Sequence, residues 1–300
     1  MSVYPCAMVM NGKVYVGGGG WELSDGQSNQ TVMIYDLRFD MWTELPSYYY
    51  AHFGMAIVNS QLVLVGGVHP ANEVSTTMLG VWDEQSRAWT NPYPPMPIAH
   101  RSPSVVTYDN KWLVVVGGRI GDLLSNVDIL DTTSGQWYKG APVPRLCSHA
   151  SAATIGNTCY IVGGYIDSGG SGSNKVFRAH LDELISQAVS QQASEASPLP
   201  TPSLWQMLPN TPMTRSTALA FNGALLAVGG EKYWTVKKDI YLYQPSNNTW
   251  VRAGKLPTGR RCACTVLPSG EVFVVGGSVG GGIGVLSNEP AKIVEIALIQ

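Results

Sequence analysis

Residues 109–137 read DNKWLVVVGGRIGDLLSNVDILDTTSGQW, and this stretch decides the fold. It opens on Asp109-Asn110, a dipeptide that supplies the positive φ angles of a tight hairpin turn. An unbroken apolar run, Trp112 to Val116, follows and ends on Gly117-Gly118. Such a run, rich in β-branched residues, fits a strand covered on both faces rather than on one. A further strand, VDILD, comes next, and Trp137 stands seven residues after Leu130. That spacing is a hairpin register, with two bulky side chains on facing strands.

The same unit occurs six times. Gly-Gly closes an apolar run at 17–18, 66–67, 117–118, 163–164, 229–230 and 276–277, in KVYVGG, QLVLVGG, WLVVVGG, CYIVGG, LLAVGG and VFVVGG. Each run is preceded by a turn dipeptide: Asn11-Gly12, Asn59-Ser60, Asp109-Asn110, Gly156-Asn157, Asn222-Gly223 or Ser269-Gly270. Trp42, Trp89, Trp137, Trp205 and Trp250 follow the third strands. Self-similarity near 50 residues marks a ring of four-stranded antiparallel meanders. The expectation is an all-β, six-bladed β-propeller filling residues 1–300 as one domain. Its blades fall at about 1–47, 48–95, 96–142, 143–209, 210–257 and 258–300. Glycines let the backbone turn and let an aromatic ring approach, and the Tyr and Trp residues fill the space between blades.

Composition narrows the function. Charged residues are 13% and the net charge is −2, which gives no electrostatic footprint for nucleic acid or an anionic membrane. The N-terminus MSVYPCAMVM lacks a basic start and a cleavage site and reads as a strand. Five cysteines, an odd number, show no CxxC or Cys/His metal spacing. Reduced thiols in a cytoplasmic protein are expected, although sequons at Asn29 and Asn247 keep a secreted origin open.

Two places break the repeat. Residues 181–203, LDELISQAVSQQASEASPLPTPS, lengthen the fourth unit; their first half carries a helical apolar stripe and their second half is Ser/Pro-rich. A capped outer loop is expected, with a partner-docking element as the other reading. The last unit ends on AKIVEIALI without a Trp strand, so the sixth blade should have three strands. Its exposed edge over 291–299 invites pairing, and the chain is otherwise expected to be a monomer. An upstream segment of a longer protein is one candidate for the missing strand.

The six Gly-Gly/aromatic/Trp units resemble the Kelch-repeat family. That resemblance implies a non-catalytic propeller whose B–C and D–A loops form one face around the axis and hold a protein or peptide. It also implies arginines at the start of the innermost strands. The matching positions are Arg101, Arg145, Arg215, Arg260 and Arg261, with His52 in the second unit and Tyr4 in the first. Arginine suits an acidic or phosphorylated ligand because its planar fork grips carboxylates through two hydrogen bonds. The aromatic loop residues Tyr48, Tyr49, Tyr50, Trp21 and Tyr233, with His100, complete the expected partner-binding set.

No cofactor or metal is expected. A galactose oxidase-like copper site would need Tyr and His ligands, and His52, His100 and His149 fall at similar loop positions without a demonstrated metal geometry. A mutarotase-like site would need acids in the mouth, where Glu22, Glu73 and Glu231 are the candidates. The runner-up to a binding propeller is a structural or self-associating module of a larger protein. Gly17–Gly20 and Gly280–Gly282 are loops, since no helix follows to make a phosphate cradle.

Overall fold

The computed structural model describes residues 6–18, 30–167, 171–193, 204–233, 235–278 and 292–294. The first blade contains β1 (Cys6–Met10), β2 (Lys13–Gly17), β3 (Met33–Asp36) and β4 (Met41–Glu44). The second contains β5 (Gly54–Val58), β6 (Gln61–Val65), β7 (Leu79–Asp83) and β8 (Ala88–Thr90). In the third, β9 (Ser104–Tyr108) and β10 (Trp112–Val116) precede a small ribbon of β11 (Arg119–Ile120) and β12 (Asp122–Leu123). β13 (Val127–Asp131) and β14 (Gln136–Gly140) complete that blade. The fourth holds β15 (Ser151–Ile155), β16 (Thr158–Val162), β17 (Val176–His180), helix α1 (Leu181–Ala193) and β18 (Gln206–Leu208).

The fifth runs from β19 (Thr217–Phe221) and β20 (Ala224–Val228), through the ribbon β21 (Glu231–Lys232) and β22 (Thr235–Val236), to β23 (Asp239–Gln244) and β24 (Thr249–Lys255). Last come β25 (Arg261–Val266), β26 (Val272–Ser278) and β27 (Lys292–Val294). All pairings are antiparallel and each sheet is a simple meander. Five four-stranded blades are therefore present where the repeat count predicts six. The sixth repeat is a three-stranded sheet, β25–β26–β27, with β27 at its edge.

The seams between sheets are the core. Twelve buried residues, among them Val63, Leu79, Leu113 and Leu130, join blades two and three. Sixteen join blades three and four. The three-stranded sheet meets blade one through Val14, Ala263, Leu267, Phe273 and Val275. There the Phe273 ring stacks on Tyr35 with centroids 5.4 Å apart. Each fully buried Val, Leu or Phe contributes about 1.5–3 kcal/mol of transfer free energy.

The Gly-Gly pair proves to be a latch for backbone more than a seat for aromatic rings. Gly118 N donates to Cys147 O at 2.7 Å, and Gly230 N donates to Arg260 O at 3.0 Å, each across to the loop of the next unit. A Cβ on Gly117 or Gly229 would collide with those same carbonyls, and both glycines lie at φ near +60°. Aromatic approach holds at Gly80, which packs under the Tyr48 ring.

A second latch recurs at the rim. The indole Nε1 of four of the repeat tryptophans donates to a carbonyl of the loop leaving the preceding blade. Trp89 reaches Pro46 O (2.7 Å), Trp137 reaches Pro94 O (3.0 Å), Trp205 reaches Ala141 O (2.9 Å) and Trp250 reaches Pro209 O (2.9 Å). Tryptophan does this because it buries a large ring and still carries one donor to satisfy.

Helix α1 follows β17 directly. Asp182 and Glu183 stand in its first turn, where negative charge complements the helix dipole. Leu181, Leu184, Ile185 and Ala188 bury the apolar stripe against β14 and β17. The apolar stripe is thus spent on the chain's own seam. Residues 194–203, the rest of the insert, lie outside the described residues.

Candidate binding mouth on the loop face

The innermost strands β1, β5, β9, β15, β19 and β25 pack side by side around an axial cavity of about 130 Å³. Ser102, His149, Arg215 and Arg261 line its upper end, beside Phe53 and Cys6. One register position builds this end. It lies two residues before the residue that pairs with the last apolar residue ahead of the Gly pair. Gly54, Ser104, Ser151, Thr217 and Ala263 hold that paired position. His52, Ser102, His149, Arg215 and Arg261 therefore share the mouth position. The first four have positive φ between 52° and 56°, a tight turn that aims the side chain inwards.

The register corrects several sequence expectations. Arg145 sits in an exposed loop stretch two residues before Cys147, and His149 occupies the mouth position of that blade. Arg260 turns away from the axis, donating from Nη1 to Gly276 O at 3.3 Å. His100 lies one residue before Arg101 and is fully buried. Its Nδ1 is 2.6 Å from Gly117 O and its Nε2 is 2.7 Å from Asp128 Oδ2. His100 thus ties the Gly117 carbonyl to the Asp128 carboxyl as a buried strut. His100 therefore stands apart from His52 and His149, whose rings lie 5.9 Å apart, and among the described residues no three His, Cys, Asp or Glu are grouped to hold a metal ion.

The three consecutive tyrosines also separate. Tyr48 is 3% exposed, wedged among Tyr50, Phe53 and Trp89, and burial pushes its phenol pKa up. Tyr49 is 76% exposed and Tyr50 is half-buried against His69. Tyr233 is 87% exposed. Trp21 and Tyr4 lie outside the described residues.

What converges is a directed hydrogen-bond chain. Arg101 Nη2 is 3.4 Å from His52 Nε2, which must accept because a guanidinium only donates. His52 Nδ1 then carries the proton towards Ser102 Oγ at 3.4 Å. Ser102 Oγ is 3.0 Å from His149 Nε2, and His149 Nδ1 is 3.1 Å from Ser148 Oγ. The chain runs Arg101, His52, Ser102, His149, Ser148 and keeps both imidazoles neutral. Burial, then Arg101 and Arg119, pull the His52 pKa down to about 3. Burial holds His149 well below the usual histidine range, with His52, Arg101, Arg119 and Arg215 adding to it.

Two carboxylates set the charge of the mouth. Glu231 accepts from Arg215 Nη1 at 2.8 Å and stands 3.6 Å from Arg261 Nη1. Arg215 also lies over the Tyr165 ring, 4.8 Å from its centroid. Glu73, largely exposed, meets Arg101 at 3.2 Å. Sequence reasoning overlooked Ser102 and the clamping role of Glu231. The pairing of the inner hairpin, two residues before the partner of the last apolar residue, is the signal that finds Ser102. Around this centre Tyr49, Val74, Ile120, Leu146 and Tyr233 stand exposed on loops of the same face.

Comparison with known proteins agrees with this architecture. The KLHDC2/KLHL20/DRC7 Kelch-repeats domain matches residues 52–277, and the Kelch motif matches residues 1–47. Human Kelch-like protein 34 is 24% identical over 272 residues, covering 86% of this chain and 39% of that protein. Human Kelch-like protein 23 is 22% identical over 251 residues, covering 82% and 41%. Beta-scruin of Limulus polyphemus is 27% identical over 180 residues, covering 54% and 19%. The chain thus spans less than half the length of these curated relatives. A solved structure described as "Structure of YjhT" superposes with a TM-score of 0.72 at 14% identity, over 98% of this chain and 97% of that one, a likeness of fold alone. The latched Gly pairs, the tethered tryptophans and the matched repeats together make this chain a member of the Kelch-repeat family.

Proposed function

We propose that the chain is a single non-catalytic propeller that holds a protein or peptide segment on its B–C/D–A loop face. In this reading the three-stranded sheet is the sixth blade, and residues 1–300 are one domain. The observation that carries the proposal is the convergence of Arg101, Arg119, Arg215 and Arg261 on one recessed mouth, opposed by Glu73 and Glu231. Cationic groups outnumber carboxylates there, and an acidic or phosphorylated segment suits that balance. Tyr49 and Tyr233 supply rim anchors of the type that dominates binding hot spots. His52 and Tyr50 stand behind them, orienting Arg101 and the loop.

A catalytic reading is weaker for a physical reason. Ser102 beside His149 has the outline of a nucleophile and base, yet a histidine held this far below its usual range is a poor proton acceptor at neutral pH. Among the described residues no helix is long and apolar enough to cross a membrane. The five cysteines are free thiols, which fits a reducing, cytoplasmic setting. A substrate-recognition role is one version of this function.

The test is affinity capture with protein identification, comparing the wild-type chain with Arg101→Ala and with Tyr49→Ala/Tyr233→Ala. These side chains are part-exposed or exposed, so both variants should fold. Arg215→Ala is unsuitable, because it strands Glu231 in a buried site. Loss of one shared partner from both variants is expected. Identical captures with all three proteins would sink the proposal.

A further inference from the structure

The five thiols do not share one environment. Cys147 and Cys159 are enclosed in the seam between blades three and four, where burial pushes each thiol up to about 12. Burial likewise raises Cys6 to about 11. Cys262 and Cys264 differ because they are a pair. They flank Ala263 on β25, so both side chains leave one face of the strand and enter the buried cluster with Leu219, Phe221 and Leu256. There the Cys264 thiol donates to Cys262 Sγ, and the Thr217 hydroxyl and Arg260 guanidinium stand beside Cys262. These neighbours hold the Cys262 thiol below its ordinary value in spite of burial and push Cys264 up, so Cys262 ionises first.

Two features of the backbone suit the pair to chemistry. Both cysteines line the axial cavity of about 130 Å³, room enough for a molecule little larger than water. The β25–β26 ladder also slips between Arg261 and Ala263, leaving Cys262 opposite Gly276 and Gly277 instead of one paired residue. Such a slip loosens the ladder where a covalent bridge would pull on it. Cα atoms two positions apart on a strand stand about 6.5 Å apart, near the upper end of the span of a disulfide.

We propose that Cys262 and Cys264 form a peroxide-reactive dithiol site that closes to an intrachain disulfide. The Cys262 thiolate attacks one oxygen of hydrogen peroxide and the O–O bond breaks. Cys262 becomes a sulfenic acid, and the leaving hydroxide takes up the proton released when Cys262 ionised. The Cys264 sulfur then attacks Cys262 Sγ. The S–S bond forms, the S–O bond breaks, and the hydroxyl departs as water with the Cys264 proton. Two thiols are oxidised to one disulfide and one peroxide is reduced to two waters. A thiol reductant restores the pair. The site is distinct from the arginine mouth and does not depend on what that mouth binds.

The test treats the full folded chain with hydrogen peroxide, blocks the remaining thiols with a maleimide in denaturant, and maps the tryptic peptides by mass. Residues 262–292 form one such peptide, which holds these two cysteines and no other. Expected is an unblocked 262–292 peptide lighter by two hydrogens, formed at least about tenfold faster than any oxidation of Cys147 or Cys159. Cys264→Ser should leave a sulfenic acid on Cys262 that dimedone traps. Cys262→Ser should slow oxidation of Cys264 at least about tenfold. Serine is close to cysteine in size, and circular dichroism checks that both variants fold; the wild-type map decides the matter even where one does not. The proposal is overturned if both cysteines are still blocked by maleimide after peroxide. It is equally overturned by a bridge from either cysteine to Cys6, Cys147, Cys159 or a second chain, or by undiminished oxidation of Cys264 in Cys262→Ser.

Discussion

The seam between blades two and three and the seam between the three-stranded sheet and blade one share a design and differ in depth. The first packs twelve buried residues, ties Trp137 to Pro94 at the rim, and runs the His100–Asp128 strut beneath the loops. Among the described residues the second packs five buried residues, Phe273 among them, and has no indole latch. At the mouth, the chain from Arg101 through His52 and Ser102 to His149 crosses blades two, three and four and stops short of the sixth repeat. The contrast separates two tasks. Inner strands and Gly latches close the ring, while the fourth strand and its Trp lock each blade to its neighbour.

Asp128→Asn should give the largest effect. It leaves His100 buried without its carboxylate, at a cost of about 3 kcal/mol, the usual penalty for breaking a buried pair. Urea unfolding measures this. A loss below about 1 kcal/mol would mean that the strut adds little to the deeper seam.

Acidification tests the mouth. The folded-state pKa values of His52 and His149 lie below the unfolded value near 6.5, so the unfolded chain takes up protons first. Their contribution is present above pH 6.5 and is lost as the pH falls below it, for His52 down to about 3. The His52 imidazole then costs about 1.4 kcal/mol per pH unit, roughly 2 kcal/mol by pH 5, and His149 acts in the same direction. His52→Gln/His149→Gln should flatten the stability profile between pH 6.5 and 5. An unchanged slope would place the titrating groups elsewhere.

The smallest effect is the sharpest comparison. Trp137→Phe keeps most of the ring and removes the donor to Pro94 O, costing about 1 kcal/mol. Trp42→Phe removes a donor that has no described acceptor and should cost close to nothing. Equal losses at the two sites would erase the distinction between latched and unlatched seams.

Much of this was legible in the sequence because the repeat reports local geometry. The turn dipeptides, the apolar runs and the seven-residue spacing from Leu130 to Trp137 or Tyr243 to Trp250 each concern strands that are neighbours in the chain. The pairs Leu130 with Trp137 and Tyr243 with Trp250 do face one another. The site was read less well. Arginines were matched by residue type, whereas mouth positions are fixed by the pairing of the two inner strands, whose turn varies in length by one residue from blade to blade. That register replaces Arg145 with His149 and moves His100 off the mouth. Tyr48 looked like a loop residue because nothing local shows that Gly80, 32 positions later in the chain, leaves room for its ring.

The sequence by itself determined the repeat, its meander topology and the family, since all follow from contacts over a few residues or from periodicity. Tertiary structure decided the rest. It paired Glu231 with Arg215 and Arg261, threaded neutral histidines through Ser102, and spent the α1 stripe on the chain's own seam. These depend on which loops and strands meet across a ring, and ring closure joins residues whose separation in sequence carries no local signal.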